Sequence, residues 1–381
     1  MRIRSAFGIP AAIVALSVLF SASPNRQPVP AQAAAAAKTQ AREVALPVTV
    51  RDKHGALVTA LKASDFTLTE DGRPQTIESL TRDSSRPFRL GLLVDTSRSL
   101  SGAMDAERKA AGKFVDTMLP ASAGAKPDPT SNQAFLIHFD REVELLEDFT
   151  DSRDKLHREL DDMGPTRRER NESQGPEVSG DDRDGDRPHG RGGTQLYDAI
   201  FLASDELMKT MDGHKALIIL SDGVDRGSKE TLNDAIDAAD HAGLTVYTIY
   251  LKGEERGEGG FPGGGGHHGG GWPGGGYPGG GYPGGGGRRG GGRESEPAVD
   301  GKKIMEKIAT RTGGHYFEAR KKDNLEEIYG EIAEELRGQF LLIYTPDKMD
   351  NEGGYHKVAL KANKDDLTVV IREGYYAPEE K

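Results

Sequence analysis

Apolar residues recur along this chain in two rhythms, and the rhythm changes twice. Over residues 43–80 the pattern is short and alternating. Val44, Leu46, Val48 and Val50 fall on one face of a strand. Asp52-Lys53-His54-Gly55 reads as a turn, Phe66–Glu70 as a second strand, Asp71-Gly72 as a hairpin signal and residues 75–80 as a third strand. That is too little chain for a stable fold of its own. Alternation returns near the other end, with strands predicted at Phe340–Tyr344, 355–361 and 367–373. Three strands at each end predict one small β-unit, built from residues 43–80 and 339–378 and split by an insertion.

Inside the insertion the rhythm is different. A strand is predicted at 89–94, a helix at 102–119, and two strands at 134–139 and 142–149 around a tight turn at Asp140-Arg141. Helices follow at 153–163 and 194–211, then a strand at 215–220. A helix at 229–242 is closed by Gly243. A strand at 244–251, a helix at 301–311, a strand at 315–319 and a helix at 324–337 complete the series. Strands alternating with helices predict an α/β fold, a doubly wound, mainly parallel sheet with helices on both faces.

Candidate chemistry lies where the apolar strands stop. Leu90-Gly91-Leu92-Leu93-Val94 ends abruptly at Asp95, and Ser97 and Ser99 follow at alternate positions. Open α/β sheets place ligands beyond the C-terminal ends of their strands. One carboxylate and two hydroxyls within five residues offer oxygen only, which suits a hard cation such as Mg²⁺. The strand at 215–220 also runs into an aspartate, at Ser221-Asp222-Gly223. Gly192-Gly193 precedes Thr194, which is placed to cap the next helix. Taken singly, each is an ordinary strand-end aspartate or capping hydroxyl. Taken together, the five point to a metal site.

These parts resemble the von Willebrand factor type A (VWA) domain and its metal-ion-dependent adhesion site, over roughly residues 88–338. The D-x-S-x-S, T and D-G parts stand in the family's chain order. The resemblance implies that Ser97, Ser99 and Thr194 bind the metal through hydroxyls, and that Asp95 and Asp222 hold it mainly through water. It implies a Rossmann-like sheet, Mg²⁺ with Mn²⁺ or Ca²⁺ as other occupants, and a protein ligand that supplies an acidic side chain. The β-unit adds a second resemblance. Val58, Asp65-Phe66, Glu70-Asp71-Gly72-Arg73-Pro74-Gln75 and the closing Gly374-Tyr375-Tyr376-Ala377-Pro378 look like the VWFA-related proteins abundant in Acidobacteria. That family has no established molecular function, so the likeness sharpens fold more than role.

Composition narrows the classes. The chain has 381 residues and no cysteine, which excludes disulfides, zinc-thiolate sites, thiol nucleophiles and a lipoprotein anchor. Its formal charge of −11 is mixed along the chain, with no basic stripe for nucleic acid. Arg2 and Arg4 precede an apolar core at 9–20, and Ala31-Gln32-Ala33 is a candidate cleavage site. Residues 1–33 are expected to be an export signal. The protein would then be periplasmic or secreted, without a membrane span after cleavage; an uncleaved anchor is the alternative.

Two inserts interrupt the α/β pattern. Residues 164–193 are charged, with Asp182, Asp184 and Asp186 at their centre. Residues 253–293 are mostly glycine, with Phe261, Trp272, Tyr277 and Tyr282 at intervals and His267-His268 among them. Neither can bury enough apolar surface to fold alone. Both should leave the sheet on the candidate metal's side, as flaps around it. Among the aspartates the glycine falls at the wrong position for a Ca²⁺ loop, and Gly193 stands where the closing glutamate should be, so a solvated loop is the default. The G-x-G-x-x-G strings in the glycine tract occur by chance in such a composition. His138, in an apolar strand, reads as a satisfied interior residue.

Metal-dependent binding of a macromolecular partner at the cell envelope fits these features best. The alternative is an envelope structural or assembly factor whose metal site is idle. A metal-assisted hydrolase is less favoured. No G-x-S-x-G elbow surrounds Ser97 or Ser99, and no histidine is placed by sequence to act as base.

Overall fold

Asp95 ends the middle of a six-stranded sheet, and the residues leading to it explain the placement. The computed structural model describes residues 43–82, 86–121, 128–164, 193–253, 300–319, 324–347 and 354–377. Strand β5 (Phe88–Asp95) is buried from Arg89 onward, as a strand covered on both faces must be. It pairs in parallel with β6 (Gln133–Phe139) on one side and β8 (His214–Ser221) on the other. Gly91 lies opposite Phe135 and Leu217 in those registers. A Cβ there would stand 2.3 Å from Phe135 Cζ and 2.5 Å from Leu217 Cδ2, so only glycine fits between the two side chains.

The remaining strands extend this core. β9 (Thr245–Leu251) pairs in parallel with β8, and β10 (Tyr316–Ala319) in parallel with β9. β7 (Val143–Thr150) returns antiparallel beside β6, giving the order β10-β9-β8-β5-β6-β7. Alternate residues face opposite sides. Leu90, Leu92, Val94, Leu136 and Ile218 pack under helices α1 (Met104–Met118) and α2 (Arg153–Asp162), with a later helix, α6 (Leu325–Gly338). Leu93, Phe135, Ile137, Leu217 and Ile219 pack under α3 (Leu196–Phe201), α4 (Leu232–His241) and α5 (Gly301–Thr312). The mainly parallel sheet with helices on both faces is the architecture that the strand–helix alternation predicts.

The helix expected over 194–211 differs in detail. Its α-helical part ends at Phe201, and Leu202–Met208 continues as a π-helix. Within it the buried Ser204 hydroxyl donates to the Ile200 carbonyl at 2.7 Å. Such back-bonding competes with the backbone ladder.

Both chain ends build two further antiparallel sheets. One has the order β13-β1-β11-β4, formed by β1 (Val44–Asp52), β4 (Ser79–Thr81), β11 (Phe340–Tyr344) and β13 (Leu367–Val370). The other has the order β14-β12-β2-β3, formed by β2 (Phe66–Glu70), β3 (Arg73–Gln75), β12 (Tyr355–Ala362) and β14 (Gly374–Tyr376). Leu46 pairs with Leu342 and Leu68 with Leu360, so each sheet joins the two ends of the chain. Leu46, Val48, Leu68, Phe340, Leu342 and Leu360 share one core.

Two expected strands are broken where the chain changes sheet. The strand expected at 75–80 is two strands: Arg73–Gln75 pairs with β2, and Ser79–Thr81 pairs with β11. Between them Ile77 packs into the shared core. The strand expected at 367–373 stops at Val370, and Gly374–Tyr376 joins the other sheet. The break holds Arg372, which is buried and donates to the Leu244 carbonyl at 2.8 Å. Alternating apolarity marked the buried face but not the switch of sheet.

Polar contacts fasten these sheets to the α/β part. Arg51 donates to the buried Glu335 of α6 at 2.7 Å. Gln339 donates to Tyr247 Oη at 2.9 Å and to Thr49 Oγ1 at 3.3 Å. No helix among the described residues is long and apolar enough to cross a membrane. The expected export signal and both expected flaps, apart from their end residues, lie outside the described residues.

Candidate metal centre

The parallel pairing of β5 and β8 brings two strand ends side by side. Asp95 closes β5, and Ser221 closes β8, with Asp222 the next residue. Asp95 is fully buried and takes hydrogen bonds on both oxygens. The Ser97 amide donates to Oδ1 at 2.9 Å, and the Ser221 hydroxyl donates to Oδ2 at 2.7 Å. Ser221 Oγ in turn accepts from the Gly223 amide at 3.0 Å. The carboxyl is therefore held in one orientation before any ligand arrives.

Asp95, Ser97, Ser99 and Asp222 form a connected set of oxygens. Ser97 Oγ and Ser99 Oγ are 3.0 Å apart, and Ser99 Oγ donates to Asp222 Oδ2 at 2.8 Å. Asp222 Oδ1 accepts from the Val224 amide at 3.1 Å. Burial pushes the Asp95 carboxyl up to about 6. Hydrogen bonds from Ser97 and Ser221 oppose the rise, and the nearby Asp222 charge adds to it. A buried carboxylate facing a second carboxylate is an environment that a cation relieves.

The oxygen spacings test the fit. Octahedral Mg²⁺ at 2.0–2.1 Å from its ligands spaces neighbouring oxygens by about 2.8–3.0 Å. The Ser97–Ser99 separation of 3.0 Å matches that edge, and the Ser99–Asp222 hydrogen bond keeps the second carboxylate next to it. The donor set is all oxygen, as a hard cation requires. When bound, such an ion would supply a positive charge at this end of the sheet.

Thr194 is placed differently from the other four. It is buried at the same end of the sheet, because the next amide, of Gln195, donates to the Asp140 carbonyl at 2.8 Å. Asp140 directly follows Phe139, which pairs with Asp95. Yet among the described residues no hydrogen bond joins the Thr194 hydroxyl to the other four. Nor does Thr194 cap the helix, as its sequence position suggested. The N-cap is Gln195 and the helix starts at Leu196. Backbone bonds hold Thr194 instead, its carbonyl accepting from the Arg226 amide at 2.9 Å.

Sequence reasoning missed Ser221 as the group that orients Asp95. One signal was available: a lone hydroxyl at the end of a continuous apolar strand, directly before an aspartate. It also missed Asp225 and Asp198, which tie the loop after Asp222 to the start of α3. Asp225 accepts from the Tyr197 amide at 3.3 Å, and Asp198 from the Lys229 and Glu230 amides at 2.9 Å. His138 is the satisfied interior residue expected, bonded to Gly164 O at 3.1 Å and Glu144 Oε2 at 2.7 Å.

The ends of both inserts come to this site. Gly193 immediately precedes Thr194. A Cβ on Gly253 would lie 2.7 Å from Asp222 Oδ2 and 2.9 Å from Ser99 Cβ, so Gly253 packs against the oxygen cluster itself.

Residues 90–224 match the model of the von Willebrand factor type A domain, a span that takes in all five candidate ligands. No curated protein matches the chain by sequence. Similar solved structures include proximal thread matrix protein 1 from the mussel byssus, at 13% identity and a TM-score of 0.43, covering 70% of this chain and 50% of that one. The chain thus spans half the length of the mussel protein, which has also been solved with a zinc-occupied MIDAS motif. BatB from Bacteroides thetaiotaomicron is similar at 14% identity and a TM-score of 0.38, covering 65% of this chain and 98% of that one. The vWF domain of the type V pili tip protein Mfa5 from Porphyromonas gingivalis is similar at 13% identity and a TM-score of 0.41, covering 66% and 95%.

Proposed function

We propose that this protein is an exported VWA-domain binding protein. It would engage a protein partner through a divalent cation held by Asp95, Ser97, Ser99, Thr194 and Asp222. One observation supports the reading above the others: two hydroxyls and a carboxylate converge at 2.8–3.0 Å beside the buried, pre-oriented Asp95. In this reading the direct ligands are the neutral hydroxyls, and Asp95 and Asp222 act mainly through water, so the ion's charge is only partly screened. An acidic side chain on the partner is the group best suited to neutralise it. The ion is Mg²⁺ in this reading, with Mn²⁺ or Ca²⁺ able to replace it. Binding rather than turnover is proposed because no histidine among the described residues is hydrogen-bonded to Ser97 or Ser99, and Asp222, the carboxylate bonded to Ser99, is taken up with the metal in this reading.

Pull-down of partners from envelope extract, in Mg²⁺ and in EDTA, tests the reading. The expected result is a protein retained by the wild type in Mg²⁺ and lost both in EDTA and with Asp95→Ala. Equal capture by wild type and Asp95→Ala would reject it.

A further inference from the structure

We propose that Glu70, Asp71 and His356 form a second metal site, one that takes Zn²⁺ and clamps the two ends of the chain together. Glu70 and Asp71 lie at the β2–β3 turn, and His356 lies on β12. The ligand atoms of all three fall within 4.8 Å of one another. His356 Nδ1 is 2.9 Å from Asp71 Oδ2 and 3.4 Å from Glu70 Oε1. One ring nitrogen carries at most one hydrogen, and two carboxylate oxygens converge on it. The nearer oxygen can accept that hydrogen; the farther one is beyond good hydrogen-bond range. A metal ion in place of the proton serves all three. Tetrahedral Zn²⁺ at 2.0–2.1 Å from its ligands spaces them by about 3.3–3.4 Å. The Glu70 distance matches that edge, and the Asp71 oxygen, now at hydrogen-bond distance, would have to move out by about 0.4 Å to reach it.

The supports around the cluster have the form that metal ligands need. Each carboxylate has one oxygen occupied and one turned to the histidine. Tyr344 Oη donates to Glu70 Oε2 at 2.7 Å, and Oε1 is the oxygen that faces His356. The Lys357 amide donates to Asp71 Oδ1 at 2.9 Å, which leaves Oδ2 free. The imidazole stacks on Tyr375, with ring centroids 5.6 Å apart, and this fixes the direction of Nδ1. Glu70 is 4% exposed, so its charge is costly without a compensating partner.

The donor set also separates this site from the one at Asp95. An imidazole nitrogen with carboxylate oxygens favours Zn²⁺ and its transition-metal neighbours, whereas the all-oxygen set at Asp95 favours Mg²⁺. Asp71 and His356 are 285 positions apart in the chain. Zn²⁺ here would tie the β2–β3 turn to β12 and stabilise the sheet formed by both ends.

Co²⁺ tests this, because its visible ligand-field bands report tetrahedral nitrogen and oxygen ligation. The protein used is the full chain carrying Asp95→Ala, His267→Ala and His268→Ala, which removes the Asp95 site and the adjacent histidine pair. One equivalent of Co²⁺ should give tetrahedral bands that Zn²⁺ abolishes, and Zn²⁺ should raise the melting temperature. His356→Gln should lose both effects. Asp71→Asn keeps the acceptor for the Lys357 amide and tolerates the φ of 48° at this turn. It should stay folded by circular dichroism and weaken Co²⁺ binding at least tenfold. No bands in the triple variant, or unchanged affinity in folded Asp71→Asn, would leave a plain histidine–carboxylate pair and overturn the proposal.

Discussion

Ser221 donates its hydroxyl to Asp95 Oδ2 at 2.7 Å, and both residues are fully buried. They are the last residues of two neighbouring parallel strands, 126 positions apart. The bond leaves the carboxylate one orientation, so the oxygen cluster is arranged before a ligand binds. Ser221→Ala should therefore keep the fold and weaken Mg²⁺ about 10–100-fold, the usual cost of losing a group that orients a ligand. Isothermal titration of wild type and variant measures it. An unchanged affinity would mean that Ser221 is merely structural.

Mg²⁺ should raise the melting temperature of the wild type, because a ligand of the native state stabilises it by mass action. At a free concentration 100 times the Kd the gain is about 2.7 kcal/mol. Asp95→Ala should abolish the rise. A rise that persists in this variant moves the ion elsewhere.

Gly91 sits where a Cβ would meet Phe135 and Leu217 at 2.3 and 2.5 Å. Gly91→Ala should destabilise the protein by about 1–3 kcal/mol or more, the range for overpacking a core. Urea unfolding with an unchanged midpoint would contradict the packing.

Glu107 of α1 supplies a pH prediction. It is buried, burial holds its carboxyl up at about 7, and a hydrogen bond from Tyr329 only partly offsets this. The ordinary value is 4.5. Between these values the native state binds more protons than the unfolded chain, so stability falls as pH rises through the window. Glu107→Gln stays neutral and still offers Tyr329 an acceptor. Its melting temperature should exceed the wild type's at pH 8, and the difference should shrink towards pH 4.5. Parallel pH profiles for the two proteins would refute the assignment.

Pairing of the chain ends predicts that neither is dispensable. Deleting residues 340–381 removes β11 and β12, the partners of β1 and β2, and bares Leu46, Val48 and Leu68. The truncated protein should aggregate or lose its N-terminal strands to protease. A soluble product with a protease-resistant N-terminal segment would contradict the register.

Much of this protein was legible in its sequence. The change from alternating strands to a strand–helix series marked the α/β part and its flanks, because a side chain's face is set by local periodicity. Asp95, Ser97 and Ser99 were legible as a unit, since the turn after one strand holds all three. Asp222 was legible by analogy of position. What periodicity cannot give is the neighbour. Only the sheet order brought Ser221 to Asp95, and that order rests on fits such as Gly91 between Phe135 and Leu217. Only tertiary packing divided residues 73–81 between two sheets, because the alternation marks a buried face without naming the strand that hydrogen-bonds beside it. The same holds for Thr194, where its own backbone bond to Arg226 and that of Gln195 to Asp140 override its local preference as a cap. It holds for His356, which meets Glu70 and Asp71 because strands from opposite chain ends pair. Local rules specify which way each residue faces; the close fit of distant side chains and hydrogen bonds decides what it meets.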